Sequence, residues 1–464
     1  MYTITKSKEE IPVIREVDVA IIGGGPSGVI AAVAAARNKA KTLLIERYGF
    51  LGGNAAMGLP ILGFFNDREG KQVIKGIPEE MVNRMRNMGG ATENTPCPHH
   101  SSYVMIDPEI LKCTAQQLVI ESGADLLFHC LGVDIMKDRN GLWGLIIQSK
   151  SGRQAILAKV VIDATGDGDI AVAAGASYEK GRPGDGLMQP PTFLFTLGNV
   201  NIDGFMEDVR ENPRKYESYM PIEYYKERAR FIYIGLDGLI KEARKKGEFP
   251  NYRKRMIFVT MPRRNEVLVN VLHIPYTDGT DVFDLTRAEI RGREQLLRMR
   301  DFFKKYVPGF ESCYIITTTH QIAIRETRRI MGEYLLTGED ILQCKKFSDV
   351  ITKNGYYMDV HSPDPLGKSP NPPPSSGSSR FRSSYDIPYR CLLPKGIQNF
   401  LITGRCISVT WEALGSTRVM APCMALGQAA GTAAALAVRD GVTVRELDAK
   451  TLQEQLTEDD ANLK

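Results

Sequence analysis

Short runs of β-branched residues, each closed by glycine, alternate with alanine-rich or charged stretches along this chain. The sharpest is Val17 to Ile22, followed by the glycine-rich Gly23 to Gly28 and an alanine-rich run to Arg37. A buried-strand pattern, a glycine turn and a helix-forming stretch predict a strand–turn–helix unit. Lys41 to Glu46 predicts the next strand, completing a βαβ unit of about 30 residues. Further on, Asp107 to Ser122 reads as a helix with Pro108 in its first turn. Val160 to Thr165 reads as a buried strand that ends in Gly166 to Asp169. From residue 190 to residue 385 the pattern shifts to strands such as Arg255–Met261 and Glu266–His273, mixed with charged helices such as Leu285–Tyr306. That shift predicts a second domain. His361 to Ser384 holds six Pro and eight Ser in 24 residues, a loop by composition. The pattern then resumes with a strand at Gln398–Thr403 and a helix whose Gly427 and Gly431 predict close packing.

Composition narrows the classes. With 464 residues the domain prior is about three, and two large ones also fit. Forty-three per cent hydrophobic residues, with 18 Tyr and 17 Phe, exclude a largely disordered chain. A net charge of +4 gives no chain-wide field toward nucleic acid or membrane. The eight cysteines are scattered without a C-x-x-C pair, against an iron–sulfur cluster or structural zinc; no metal is expected. The charged N-terminus, Met1 to Glu10, does not suit a signal peptide, and Ala429–Val438, the most apolar stretch, is too short to span a bilayer. A cytoplasmic protein is the expectation.

Gly23-x-Gly25-x-x-Gly28 is weak alone, but here it follows a strand, opens a helix, and precedes Glu46 by 18 residues. Gly23 permits the tight turn, Gly25 lets backbone approach a pyrophosphate, and Gly28 lets helix and strand pack closely. The helix N-terminus offers free N–H groups to phosphates, and Glu46 can accept both ribose hydroxyls. FAD and NAD share this fingerprint. A second glycine turn at Gly52-Gly53-Asn54, the Ala164-Thr165-Gly166 strand end, and the late Gly404-Arg405 and Gly415–Val419 turns favour the longer cofactor.

Taken together, these segments resemble the FAD-dependent oxidoreductases of the glutathione-reductase-like superfamily, on the branch related to fumarate reductase flavoproteins. The resemblance is strong over the first 175 residues and over 385–440, and moderate at Arg325–Ile330 and Gly355–His361. It implies an α/β fold with a Rossmann-like FAD-binding domain split in sequence, 1–188 and 385–464, around an inserted α+β substrate domain, 189–384. It implies non-covalent FAD at Gly23, Gly25, Pro26, Ser27, Gly28, Glu46, Arg47, Gly53, Asn54, Ala164, Gly166, Gly404, Arg405, Thr417, Arg418 and Val419. No His or Cys occurs from Leu43 to Ala56, where a covalent tether is expected. One position departs: Trp411 stands where relatives often carry His, and a Trp can wall the flavin but cannot shuttle a proton.

The expected chemistry is hydride transfer between a small polar organic substrate and flavin N5, with an electron acceptor of unspecified class. Fumarate-reductase-like reduction of an activated double bond, or a partner-dependent electron-transfer or RNA-modification subunit, are the alternatives. Candidate catalytic groups are His320, Arg325, Arg329 and His361. If Arg325 to Arg329 is extended, Arg325 and Arg329 share a face toward an anion, and Arg328 pairs with an acid such as Glu333. His320 is the expected base and His361 the reserve. Ser416 and Thr417 either cap a helix or help place its N-terminus at the flavin pyrimidine. The seven Lys/Arg between Lys241 and Arg255 read as a solvated helix face, and Cys97-x-His99-His100 as a polar loop.

Overall fold

The computed structural model describes residues 9–66, 69–137, 142–226, 228–365 and 383–464. Most of the N-terminal decapeptide and most of the Pro/Ser-rich stretch therefore lie outside the described residues.

Two sheets organise the chain. In the first, β1 (Val13–Ile22) leads through the glycine turn into α1 (Pro26–Arg37) and returns as β2 (Thr42–Ile45). The sheet continues with β3 (Asp125–Leu127), β4 (Leu131–Lys137), β5 (Trp143–Ser149) and β6 (Gly152–Asp163). The strand order is β3-β2-β1-β6-β5-β4, and a late strand, Phe400–Ile402, pairs with β6. Pairings among β3, β2, β1, β6 and Phe400–Ile402 are parallel; β5 and β4 add antiparallel pairs. Parallel strands with helices on their faces must be apolar throughout, as Val19, Ala20, Ile21 and Ile22 are. The register puts Ile22 beside both Ile45 and Asp163, so three strands end together under the glycine turn.

The second sheet has β7 (Thr192–Gly198), β8 (Ile232–Gly235), β9 (Met256–Thr260), β10 (Val267–His273) and β11 (Tyr314–Thr318), in the order β8-β9-β10-β7-β11. All its pairings are antiparallel. The architecture is mixed α/β, a parallel dinucleotide-type sheet joined to an antiparallel one.

The apolar interior divides accordingly. One part gathers residues 17–176 with 330–456; the other gathers 193–323 with Met57, Cys97, Tyr103 and Met105. The long C-terminal helix α2 (Met420–Asp440) lies against α1, and a Cβ on Gly427 or Gly431 would meet the Ser27 or Ala31 carbonyl oxygen at 2.1 Å. Close packing is thus the role of this glycine pair. Among the described residues α2 alone is long and apolar enough to cross a membrane, but 94% of that stretch is buried within the fold.

Candidate active site

The glycine turn is built by contact as well as conformation. Gly23 has φ +101°, and its Cβ would lie 2.6 Å from the Ala164 carbonyl oxygen. The turn therefore touches the end of β6. There Asp163, fully buried, accepts hydrogen bonds from Thr165 N (3.0 Å), Ile170 N (2.9 Å) and Ala171 N (2.9 Å). Burial raises its pKa against these bonds. The bonds fix the Ala164–Gly166 turn beside the first.

Between the two sheets opens a cavity of about 760 Å³. Its lining gathers most of the cofactor residues read from sequence: Gly23, Gly25, Pro26, Ser27, Glu46, Arg47, Gly53, Asn54, Ala164, Gly166, Gly404, Arg405, Arg418 and Val419. Gly28 and Thr417 do not line it. Gly28 packs against Gly23, and Thr417 is fully buried at the end of a short helix, Trp411–Thr417. The long helix α2 begins afterwards with Val419 as N-cap, so Ser416 and Thr417 do not cap it. Ser416 is instead held by Asn354 Nδ2 at 3.2 Å and Tyr385 Oη at 2.7 Å.

These residues fit a dinucleotide. No side chain caps α1 or α2, so the amides of both first turns are open to an anion. Gly25 has open space where a Cβ would be. The Glu46 carboxylate accepts Gly24 N at 2.6 Å and Tyr48 N at 2.8 Å, which aims it at the cavity with lone pairs to spare. Glu46→Ala should weaken FAD by about 1–3 kcal/mol, since a ribose and two amides lose a charged acceptor. Flavin titration of the apoprotein measures it.

The substrate side differs from expectation. Arg325 and His361 line the cavity; His320 and Arg329 do not. His320 packs edge-on against Tyr48 (4.7 Å) and Phe50 (5.0 Å), so its neighbours in sequence misplaced it. Burial and the nearby Arg47 and Lys112 lower its pKa to about 4. Arg329 is 2% exposed and donates to Glu326 Oε1 (2.9 Å) and Gly181 O (3.2 Å), a structural anchor. The expected strand spans only Arg328–Ile330, so Arg325 and Arg329 share no strand face. Arg328 pairs with Asp169 at 2.6 Å, and Glu333 pairs with Arg445. Trp411 lies outside the lining, and its indole N–H donates to Glu326 Oε2 at 2.9 Å.

Around Arg325 lie groups that the sequence did not single out. Its guanidinium donates to Pro190 O at 2.6 Å and approaches His273 Nε2 at 3.3 Å. The His273 ring lies 5.2 Å from that of His361. Asp359 Oδ2 stands 3.3 Å from His361 Nε2, and Asp359 O accepts from Arg418 Nη2 at 2.7 Å. Arg253 lines the same space, and among the described residues no hydrogen bond ends on its guanidinium. It was hidden in the basic run read as a helix face. That helix, Asp237–Lys245, ends before Arg253, so the run continues through a turn into the cavity. His99 and His100 also line the cavity, and no metal-binding cluster exists among the described residues.

Electrostatics follow from this burial. Desolvation, with Arg418 and Arg253 nearby, draws Arg325 down to about 9, still charged at neutral pH. Desolvation lowers His361 to about 4 despite Asp359, and it also holds His273 well below its ordinary value. Burial alone would raise Asp359, but His361 and Arg418 hold it well below the usual carboxylate range. Both His320 and His361 are thus neutral in the fold yet protonate in the unfolded chain below about 6.5. Their contribution is complete above that pH and is lost as pH falls toward about 4. Thermal melts across this window should fall less steeply for His320→Leu than for wild type.

The fold and site define a dinucleotide-binding α/β oxidoreductase whose cavity is also lined by arginines. The profile of the FAD dependent oxidoreductase family matches residues 18–456, and the chain belongs to that family. It is an FAD-dependent enzyme. Among curated relatives, thiamine thiazole synthase of Methanococcus vannielii is 28% identical over 176 residues, 36% of this chain and 62% of that protein. Digeranylgeranylglycerophospholipid reductase of Methanocaldococcus jannaschii is 26% identical over 166 residues, 35% of this chain and 41% of that protein. The chain thus spans less than two thirds of these relatives' lengths. A solved geranylgeranyl bacteriochlorophyll reductase-like structure from Thermoplasma acidophilum is 14% identical, covers 96% of this chain and 84% of its own, and gives a TM-score of 0.45.

Proposed function

We propose that this enzyme transfers a hydride between a small organic anion and flavin N5, with His361 accepting the proton that leaves the substrate. FAD, held without a covalent tether, supplies the two-electron redox chemistry. The observation that carries this reading is a cluster in the cavity lining: Arg253, Arg325 and Arg418 gathered about Asp359. Three guanidiniums favour an anionic guest, whose carboxylate they can grip with planar forks.

His361 supports the proton step through its partner. Asp359 accepts the Nε2–H, which leaves Nδ1 as the basic nitrogen. Burial keeps that ring unprotonated at neutral pH, and the Asp359 carboxylate offsets part of the basicity that burial removes. Asp359 is then a positioning residue, fixed in turn by Arg418.

The test is anaerobic mixing of the yellow holoenzyme with a panel of hydroxy and amino acids. Loss of flavin colour with one of them supports the reading; a flavin that only a reduced protein partner can bleach contradicts it. Acid precipitation should release all flavin to the supernatant, and colour in the pellet would contradict a non-covalent cofactor.

A further inference from the structure

The same cavity has an aliphatic stretch that speaks to the rest of the substrate, and the inference rests on the anionic reading above. β8 and β9 pair with Ile232 opposite Val259 and Ile234 opposite Ile257. All four line the cavity from the border of the second apolar interior, and their strand alternates Tyr233 and Phe258 lie on the other face of the sheet. Leu194 of β7 and Leu62 extend the same lining. The sheet thus turns to the site a face that is aliphatic along β8 and β9, with Asn270 and His273 of β10 as its polar neighbours. A short hydroxy acid would leave water against those aliphatic groups. An apolar body would displace it, with affinity rising about fourfold per fully buried methylene.

We infer that the substrate is an amphipathic anion, with a carboxylate at Arg253, Arg325 and Arg418 and an apolar chain or ring along Ile232, Ile234, Ile257 and Val259. The two recognition elements share one cavity, so neither alone suffices for tight binding.

Calorimetry of the holoenzyme with acetate, octanoate and octanol tests this. Octanoate should bind at least about 10²-fold tighter than acetate, given six further methylenes. It should also bind at least about 10-fold tighter than octanol, which lacks the charge for the arginines. Ile257→Asn should reduce octanoate affinity about 10-fold by removing apolar burial, while acetate is unaffected. Should that variant fold poorly, Val259→Thr polarises the same wall at similar size. Equal affinity for acetate and octanoate, or octanol binding as tightly as octanoate, overturns the inference. Binding is read here without turnover, so the two readings fail separately. A chain-length preference upholds the inference even where no acid bleaches the flavin. A short hydroxy acid that bleaches the flavin, with no preference for octanoate, upholds only the hydride reading.

Discussion

Gly28→Ala should yield protein that neither folds stably nor turns yellow, whereas Gly25→Ala should fold normally and still lack flavin. The two glycines lie three residues apart but meet different surroundings. A Cβ on Gly28 would sit 1.8 Å from the Gly23 carbonyl oxygen and 3.1 Å from Ala164 Cβ. No rotamer relieves a clash between backbone atoms, so α1 must move off β1. The helix also carries Ser27 and Ala31, against which Gly427 and Gly431 of α2 pack. Displacing it therefore loosens the contact between the first and last parts of the chain, at a cost of at least about 3 kcal/mol. Gly25 has φ −70° and nothing within 4 Å of its Cβ position. Alanine there costs the fold nothing, but its methyl enters the space over the uncapped amides of α1, where a pyrophosphate must approach backbone. Thermal melts and flavin-to-protein ratios of the two variants separate these roles. A yellow Gly25→Ala protein would remove the turn from the cofactor site.

His361→Asn should slow flavin reduction by at least about 10² while FAD stays bound. Asparagine can still bond to Asp359, which preserves the local geometry, but it cannot accept a proton. Asp359→Asn should have a smaller effect and shift the pH profile, because His361 would lose the carboxylate that fixes its tautomer. Stopped-flow mixing with a substrate identified on the anaerobic panel measures both. Wild-type reduction rates in His361→Asn would leave that histidine a structural part of the cavity wall.

What the sequence disclosed followed from locality. The turn, α1, β2 and Glu46 are consecutive, so periodicity and glycine spacing revealed them without knowledge of the tertiary structure. The capping box at Thr337, which Asp340 completes, is another feature of this local kind. The substrate wall was not local. Arg253, His273, Arg325 and Asp359 come from four segments that only the two sheets bring together. His320 and Arg329 were misplaced because nearness along the chain stood in for nearness in space. Beyond Thr318 the chain leaves β11 and runs irregularly to Arg328, so alternation gave no guide to which side chains turn inward. Asp359 did carry a signal: an Asp-x-His pair, closing the Gly355–His361 segment just before the Pro/Ser-rich stretch. The aliphatic face of β8 and β9 was also hidden, because a strand apolar on both faces does not say which one meets a cavity.

We propose that one cavity brings the flavin's reactive edge against the Arg325–His361–Asp359 cluster. A crystal structure of the holoenzyme tests it most directly. N5 should face that cluster, with space for a reacting atom about 3–3.5 Å from both N5 and His361 Nδ1. A flavin ring turned away from it, with N5 far from His361 and walled by residues outside this cluster, would contradict the account.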